Sequence, residues 1–201
     1  MEESRRMKHF QNQRYICAAK TMSDESLAEQ LVARTHSYGE LLPELDFITT
    51  ELLPFEGQAT VLDFGCGVGR NAVGMCDTYP KWHITGYDSD VMIERAKGYV
   101  IDWSRISMTS DWAKLKHRRF DFVLAWTVFQ HIHPDEVDQY AKDLLTMTDN
   151  LLIWGRWWID LTMPRESVFS IFERYWALYN DVDTDNVSGQ DHLYARYTPK
   201  S

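Results

Sequence analysis

Short apolar runs that stop at glycine or aspartate alternate with stretches of helical spacing from residue 59 to residue 155. Residues 59–64 (ATVLDF) are mostly apolar and run straight into glycines. A strand buried on both faces of a parallel sheet reads this way. Residues 83–87 (HITGY), 105–109, 120–126 (RFDFVLAW from its second residue) and 151–155 (LLIWG) predict four further strands. Between them, residues 71–78, 91–103 and 134–146 carry helical patterns. Asp135 and Glu136 sit in the first turn of the last of these, where negative charge suits the positive end of the helix dipole. Alternating strands and helices predict a doubly wound α/β fold, a parallel sheet with helices on both faces.

The flanks break the rhythm. Residues 24–36 are helical in pattern, with Ser23 or Asp24 as cap, and Pro43 opens a second helical stretch that stops before Pro54. Residues 1–54 are therefore expected to form a helical, lid-like segment ahead of one compact unit over 55–201. Near the other end, residues 165–174 are helical in pattern. Residues 175–182 and 192–198 are extended on either side of the turn-rich DTDNVSGQD. Two strands joined without a helix form a hairpin. The expected sheet is thus seven-stranded and mostly parallel, with an antiparallel hairpin at its C-terminal edge.

Bulk properties remove some functions. The 201 residues carry 21 Lys and Arg against 30 Asp and Glu, a net charge of −9. Long sequence-independent contact with DNA needs clustered cations, so DNA is not an expected partner. The one dense basic run, residues 114–119 (KLKHRR), reads as a solvated helix end, and an RNA or protein partner stays open. Cys17, Cys66 and Cys76 form no CxxC pair, which fits a reducing cytoplasm and neither a disulfide framework nor a zinc knuckle. No apolar run approaches the ~20 residues needed to span a bilayer. The charged N-terminal stretch is followed by no apolar segment of a secretory signal. A cytoplasmic protein without membrane contact is expected.

The candidate chemistry lies in Val61-Leu62-Asp63-Phe64-Gly65-Cys66-Gly67-Val68-Gly69. A strand runs into three glycines at alternate positions. Glycine permits positive φ and close approach of a ligand to the backbone, and the carboxyl end of the first strand is where open α/β sheets bind nucleotides. Gly67-x-Gly69-x-x-Ala72 also fits a loose dinucleotide fingerprint. Asp63 separates the two readings. Its carboxylate would repel a pyrophosphate and would favour a cationic ligand. The competing role for Asp63 is local: tying down the loop amides. Asp88, at the end of the second predicted strand, can accept hydrogen bonds from both hydroxyls of a ribose.

The segments VLDFGCGVGR, GYDSD, SDW and FDFVLAWTVFQHI, in that order, resemble the class I S-adenosylmethionine-dependent methyltransferases. The resemblance covers residues 55–160, and the tail hairpin is similar to the sixth and seventh strands of that fold. It implies S-adenosylmethionine as cofactor. Gly65, Cys66, Gly67 and Gly69 would pass its methionine part and Asp63 would sit near its amino group. Asp88 would hold the ribose, with Ser89 beside it. Asp111 and Trp112 would meet the adenine, and Ala125 and Trp126 would wall the sulfonium. The segment before the first strand, with Tyr15 and Tyr38, is a candidate lid by the same analogy.

Methyl transfer is an in-line displacement at a carbon on S⁺, so alignment and exclusion of water are the main tasks. A general base is needed only where the acceptor must lose a proton. His131 and His133 are the base candidates. His131 aligns with a histidine common in the family's VFQHI-like segment, and the competing role for it is to shape the loop through the backbone. His131, His133 and Asp135 have poor ligand spacing, so no metal is expected. Arg156 suits an anionic acceptor, and Trp157 and Trp158 suit an apolar or aromatic one or simply cover the sheet. His133, Arg156 and Trp157 are the acceptor-binding candidates. Trp126-Thr127-Val128-Phe129 stands where an amide-methylating Asn-Pro-Pro-Tyr-like motif would be, which disfavours that route. The expected function is methyl transfer to a small molecule. The alternatives are a protein or RNA methyltransferase, a non-catalytic S-adenosylmethionine-binding protein and a nicotinamide-dependent oxidoreductase.

Overall fold

In the computed structural model, the described residues are 57–126, 128, 129, 132, 134–156, 179–185 and 192–199. Side chains are described through Ile153, apart from Pro134 and Asp135. The chain divides into two compact units, with the boundary between Trp112 and Ala113.

The unit ending at Trp112 is built on β1 (Ala59–Phe64), β2 (Trp82–Tyr87) and β3 (Ile106–Thr109). β2 lies between the other two and pairs with both in parallel; Asp63 stands opposite Gly86, and Tyr87 opposite Phe64 and Thr109. Ala59, Val61, Leu62 and Phe64 are all buried, so both faces of β1 are covered and its near-continuous apolar run is accounted for. Helix α1 (Arg70–Thr78) follows β1 and buries Ala72, Val73, Met75 and Cys76. It ends where the Tyr79 N–H donates to the Met75 carbonyl at 2.8 Å and the Tyr79 ring stacks on Trp82 with centroids 4.0 Å apart.

Helix α2 (Asp90–Tyr99) buries Met92, Ala96 and Tyr99, which share one face by their i, i+4, i+7 spacing. Burial of a side chain such as that of Met92 contributes roughly 1.5–3 kcal/mol, and the single methyl of Ala96 less. The helical pattern over 91–103 overstates this element. Val100 leaves the helix with φ −77° and ψ 119°. Asp102 then accepts the Ser104 N–H at 2.8 Å, a local turn that competes with further helix. Ile101 and Trp103 consequently stay outside the core, 81% and 38% exposed.

The unit beginning at Ala113 contains a β–α–β arrangement: β4 (Phe122–Trp126), α4 (Pro134–Met147) and β5 (Leu151–Arg156). The short α3 (Trp112–Leu115) at the boundary has too few residues to leave a periodic signal. β4 and β5 pair in parallel, Val123 opposite Leu151 and Trp126 opposite Trp154. Val137, Ala141, Leu144 and Leu145 form the buried stripe of α4. The turn after α4 is held to the start of β4 by backbone bonds from Phe120 to Met147 (2.8 Å) and from Val123 to Asn150 (2.9 Å). Five parallel strands with intervening helices thus make an α/β fold.

The basic run that begins in α3 is partly engaged in this unit. Arg119 donates to the Thr146 carbonyl (2.8 Å) and pairs with Asp149 (2.7 Å), and the Arg118 guanidinium lies 5.0 Å from the Phe120 ring centroid. The ion pair is exposed and contributes little to stability. Among the described residues no helix is long and apolar enough to cross a membrane, and no group of His, Cys, Asp and Glu is placed to hold a metal ion.

The helices expected over 24–36, 43–53 and 165–174 lie outside the described residues, as do His131, His133, Trp157, Trp158 and the candidate lid.

Candidate functional site

The glycine loop leaves β1 by bonding to the end of β2. The Gly65 and Cys66 N–H groups both donate to the Tyr87 carbonyl, at 2.8 and 3.1 Å, and Gly69 N–H closes the turn on the Cys66 carbonyl at 2.9 Å. Gly65, Gly67 and Gly69 have φ of 78°, 56° and 91°. An L side chain is strained at each of these values, which is why glycine alternates here. At Gly69 an added Cβ would also run into Met108 and Val100.

Gly86 is required for a different reason. A Cβ there would lie 2.7 Å from Cys66 Sγ and 3.0 Å from Met108 Cγ. Gly86→Ala is therefore expected to destabilise the protein by about 1–3 kcal/mol through overpacking. Urea unfolding of the single variant and of Gly86→Ala with Cys66→Ala checks this. The second change removes the Sγ and should recover part of the loss, and identical midpoints for the two variants would rule out the contact as the cause.

Two carboxylates flank the loop. Asp88 accepts the Gly67 N–H at 2.8 Å on one oxygen and the Ser89 N–H at 2.7 Å on the other. Each oxygen keeps a second lone pair for another donor. Burial pushes the Asp88 carboxyl above its ordinary value, opposed by these bonds. Asp63 is wholly buried, and neither of its oxygens has a hydrogen-bond partner. Burial first, and the Asp88 charge second, push its carboxyl up to about 7. The local role considered for Asp63 is thus taken by others: Tyr87 and Asp88 tie down the loop amides. Burial and these two charges also hold the Cys66 thiol well above its ordinary range, so it stays protonated and inert.

The turn after β3 completes this end of the unit. Asp111 donates its N–H to Thr109 Oγ1 at 3.0 Å, and Trp112 donates its own to the Ser110 carbonyl at 3.2 Å. The Ser110 hydroxyl bonds to the Asp90 carboxylate at the start of α2. The Trp112 ring meets Phe64 edge-on, centroids 5.4 Å apart, and lies 4.9 Å from Tyr87, while Phe64 and Tyr87 stack at 5.5 Å. The structure therefore gathers Asp63, Gly65, Cys66, Gly67, Gly69, Asp88, Ser89, Asp111 and Trp112 at the carboxyl ends of β1 to β3. Ala125 and Trp126 end β4 in the other unit and are both buried.

Sequence reasoning missed Phe64 and Tyr87, which pack with the expected Trp112, and Arg70. Arg70 opens α1 directly after Gly69, and its side chain is 4% exposed. Its adjacency to the last glycine was the available signal.

Residues 61–149 match the family model described as a methyltransferase domain. No curated protein sequence matches the chain. Among solved structures it is similar to an O-methyltransferase family protein from Burkholderia thailandensis. The TM-score is 0.63 at 13% identity, over 77% of this chain and 55% of that one. It is also similar to a TehB-like SAM-dependent methyltransferase from Corynebacterium glutamicum, with TM-score 0.61 at 19% identity, over 88% and 98% of the two chains. A third is the magnesium protoporphyrin IX methyltransferase of Synechocystis with bound SAM, with TM-score 0.55 at 15% identity, over 72% and 71%. The chain spans about half the length of the Burkholderia protein.

Proposed function

We propose that this chain, whose residues 61–149 match a methyltransferase-domain family model, transfers the methyl group of S-adenosylmethionine to a small-molecule acceptor. The observation that carries the reading is Asp63. When ionised, a carboxylate with no exposed surface and no donor, beside a second carboxylate at Asp88, is unfavourable unless a cation arrives to pair with it. S-adenosylmethionine brings an ammonium and a sulfonium. A dinucleotide would bring a pyrophosphate into the same field.

The residues present fit that cofactor. Asp63 faces the ammonium. Gly65, Cys66, Gly67 and Gly69 let the methionine part approach the backbone. Asp88 takes the ribose hydroxyls on its remaining lone pairs, with Ser89 alongside. Asp111 and Trp112 border the adenine, and the resemblance assigns Ala125 and Trp126 to the sulfonium wall. When bound, the cofactor supplies a methyl carbon on a good leaving group. The chain's own contribution is then orientation and exclusion of water. His131 as base and His133, Arg156 and Trp157 as acceptor contacts belong to the same reading, which rests there on their place after β4 and at the end of β5 or just past it. A small-molecule acceptor is favoured by the acidic charge and by the engagement of Arg118 and Arg119. One similar structure is also named for a small molecule, magnesium protoporphyrin IX.

The reading includes a sheet completed by an antiparallel hairpin of β6 (Tyr179–Asp185) and β7 (His192–Pro199). Its support is a register that sets Leu151 opposite Tyr197 and Val182 opposite Tyr197 from the other side. It also includes a lid over 1–54 and a cytoplasmic location.

Calorimetry tests the function. Wild-type protein is expected to bind S-adenosylmethionine in the micromolar range and to show no saturable heat with NAD. Saturable NAD binding without S-adenosylmethionine binding would establish an oxidoreductase instead.

A further inference from the structure

The pairing of β2 with β3 stops at Tyr87 and Thr109. The segments read as holding the ribose and the adenine, residues 88–89 and 111–112, both lie past that point. One side-chain bond joins them there. The Ser110 hydroxyl donates to the Asp90 carboxylate in the first turn of α2, across 20 positions of sequence. Two further bonds are internal to the turn: Asp111 N–H to Thr109 Oγ1 at 3.0 Å and Trp112 N–H to the Ser110 carbonyl at 3.2 Å. These shape the turn without setting its distance from α2. On the other side of Asp111, the Trp112 ring rests on Phe64 and Tyr87. Asp111 is thus held between two anchors, Ser110 and Trp112. The first anchor is continuous with the ribose carboxylate, since Asp88 takes the Gly67 and Ser89 N–H groups and Asp90 is the next residue. Asp90 is exposed, so water competes for the bond and its net contribution to stability is small. Its consequence is positional.

We propose that Asp90 and Ser110 form a latch that fixes the position of Asp111 against the base of the cofactor and so sets the preference of the site for adenine. The inference rests on the cofactor reading above and deepens it. Neither latch residue contacts the cofactor in that reading; both are positioning residues. Adenine presents an amino donor at its 6-position, and hypoxanthine presents a carbonyl oxygen at the same place. A carboxylate accepts a hydrogen bond from the first and repels the second. That discrimination requires an acceptor held in place, because a loose one retreats from the wrong base and admits water.

The test compares two ligands by calorimetry: S-adenosylhomocysteine, and S-inosylhomocysteine, which carries hypoxanthine in place of adenine. Wild type is expected to prefer the first by roughly 10- to 100-fold, the size of a hydrogen bond to a charged group. Ser110→Ala should reduce that preference to within about threefold, mostly by weakening S-adenosylhomocysteine. Ser110→Thr keeps the hydroxyl and should restore it. Asp90→Ala should repeat the effect of Ser110→Ala, and the double variant should be no worse than either alone, because all three lack the same bond. A preference that stays at the wild-type value in Ser110→Ala, with both ligands weakened equally, would overturn the proposal and make the bond a structural tie. Losses that add in the double variant would overturn the coupling of the pair. A wild type that binds the two ligands alike would also overturn it, since Asp111 would then not read the base. If wild type binds neither ligand, the cofactor reading itself fails, an outcome distinct from any effect of the latch.

Discussion

Asp63→Asn is expected to give a protein whose stability no longer falls as pH rises from 4 to 7, and which has lost most of its affinity for S-adenosylmethionine. The first half follows from linkage. The Asp63 carboxyl sits at about 7 in the fold against an ordinary value of 3.8. Below the lower value, folded and unfolded chains both hold the proton and the group is neutral to stability. Between the two values the unfolded chain releases the proton and the folded chain retains it. Stability therefore declines with rising pH through this window and levels off above about 7. At about 1.4 kcal/mol per pH unit the accumulated penalty is of order 4 kcal/mol at pH 8. Asparagine removes the slope. It also leaves a buried amide unpaired, at roughly 1–3 kcal/mol, so the net gain at pH 8 is smaller than the penalty removed. Urea midpoints at several pH values from 4 to 8 measure this, and parallel profiles for the two proteins would refute it.

The second half follows from the same charge. Wild-type affinity for S-adenosylmethionine should rise as pH passes upward through 7 and Asp63 ionises. In Asp63→Asn the affinity should be roughly 10- to 100-fold weaker and flat with pH, because the ammonium has lost a buried charged acceptor.

Asp88→Ala is expected to have the largest effect on binding, a loss of roughly 100-fold or more. Two things go together. The ribose loses an acceptor for each hydroxyl, at roughly 1.5–3 kcal/mol per charged hydrogen bond. The loop loses the tie from Gly67, 2.8 Å to Asp88 Oδ2, that holds its central glycine in place. The two contributions separate with a cofactor analogue lacking both ribose hydroxyls. Wild type should bind it far more weakly than S-adenosylhomocysteine, whereas Asp88→Ala should bind the two alike. A variant that still discriminates fully between them would show that Asp88 serves the loop alone.

Much of this site was legible in the chain. β1, β2, β4 and β5 stand where short apolar runs end at turn residues, because a strand covered on both faces needs nearly every residue apolar. The three loop glycines were legible for the same local reason, since their backbone angles of 78°, 56° and 91° exclude other residues. Asp63 and Asp88 could be placed at the ends of strands and given a charge.

Other features depend on neighbours distant in sequence. The end of α2 at Tyr99 was hidden because Ile101 and Trp103 mimic its apolar face, and only packing leaves them outside. Gly86 looked like an ordinary strand residue until Cys66 and Met108 filled the place of its side chain. Arg70, an arginine after a glycine, has the profile of a surface residue; its burial is a property of the surrounding fold. Position and charge at Asp63 were determined by the sequence. That its oxygens lack donors, and that its carboxyl titrates near 7, was decided by the tertiary structure. The amides that might have bonded to Asp63 are held instead by the Tyr87 carbonyl and by Asp88, and burial removes the water that would have replaced them.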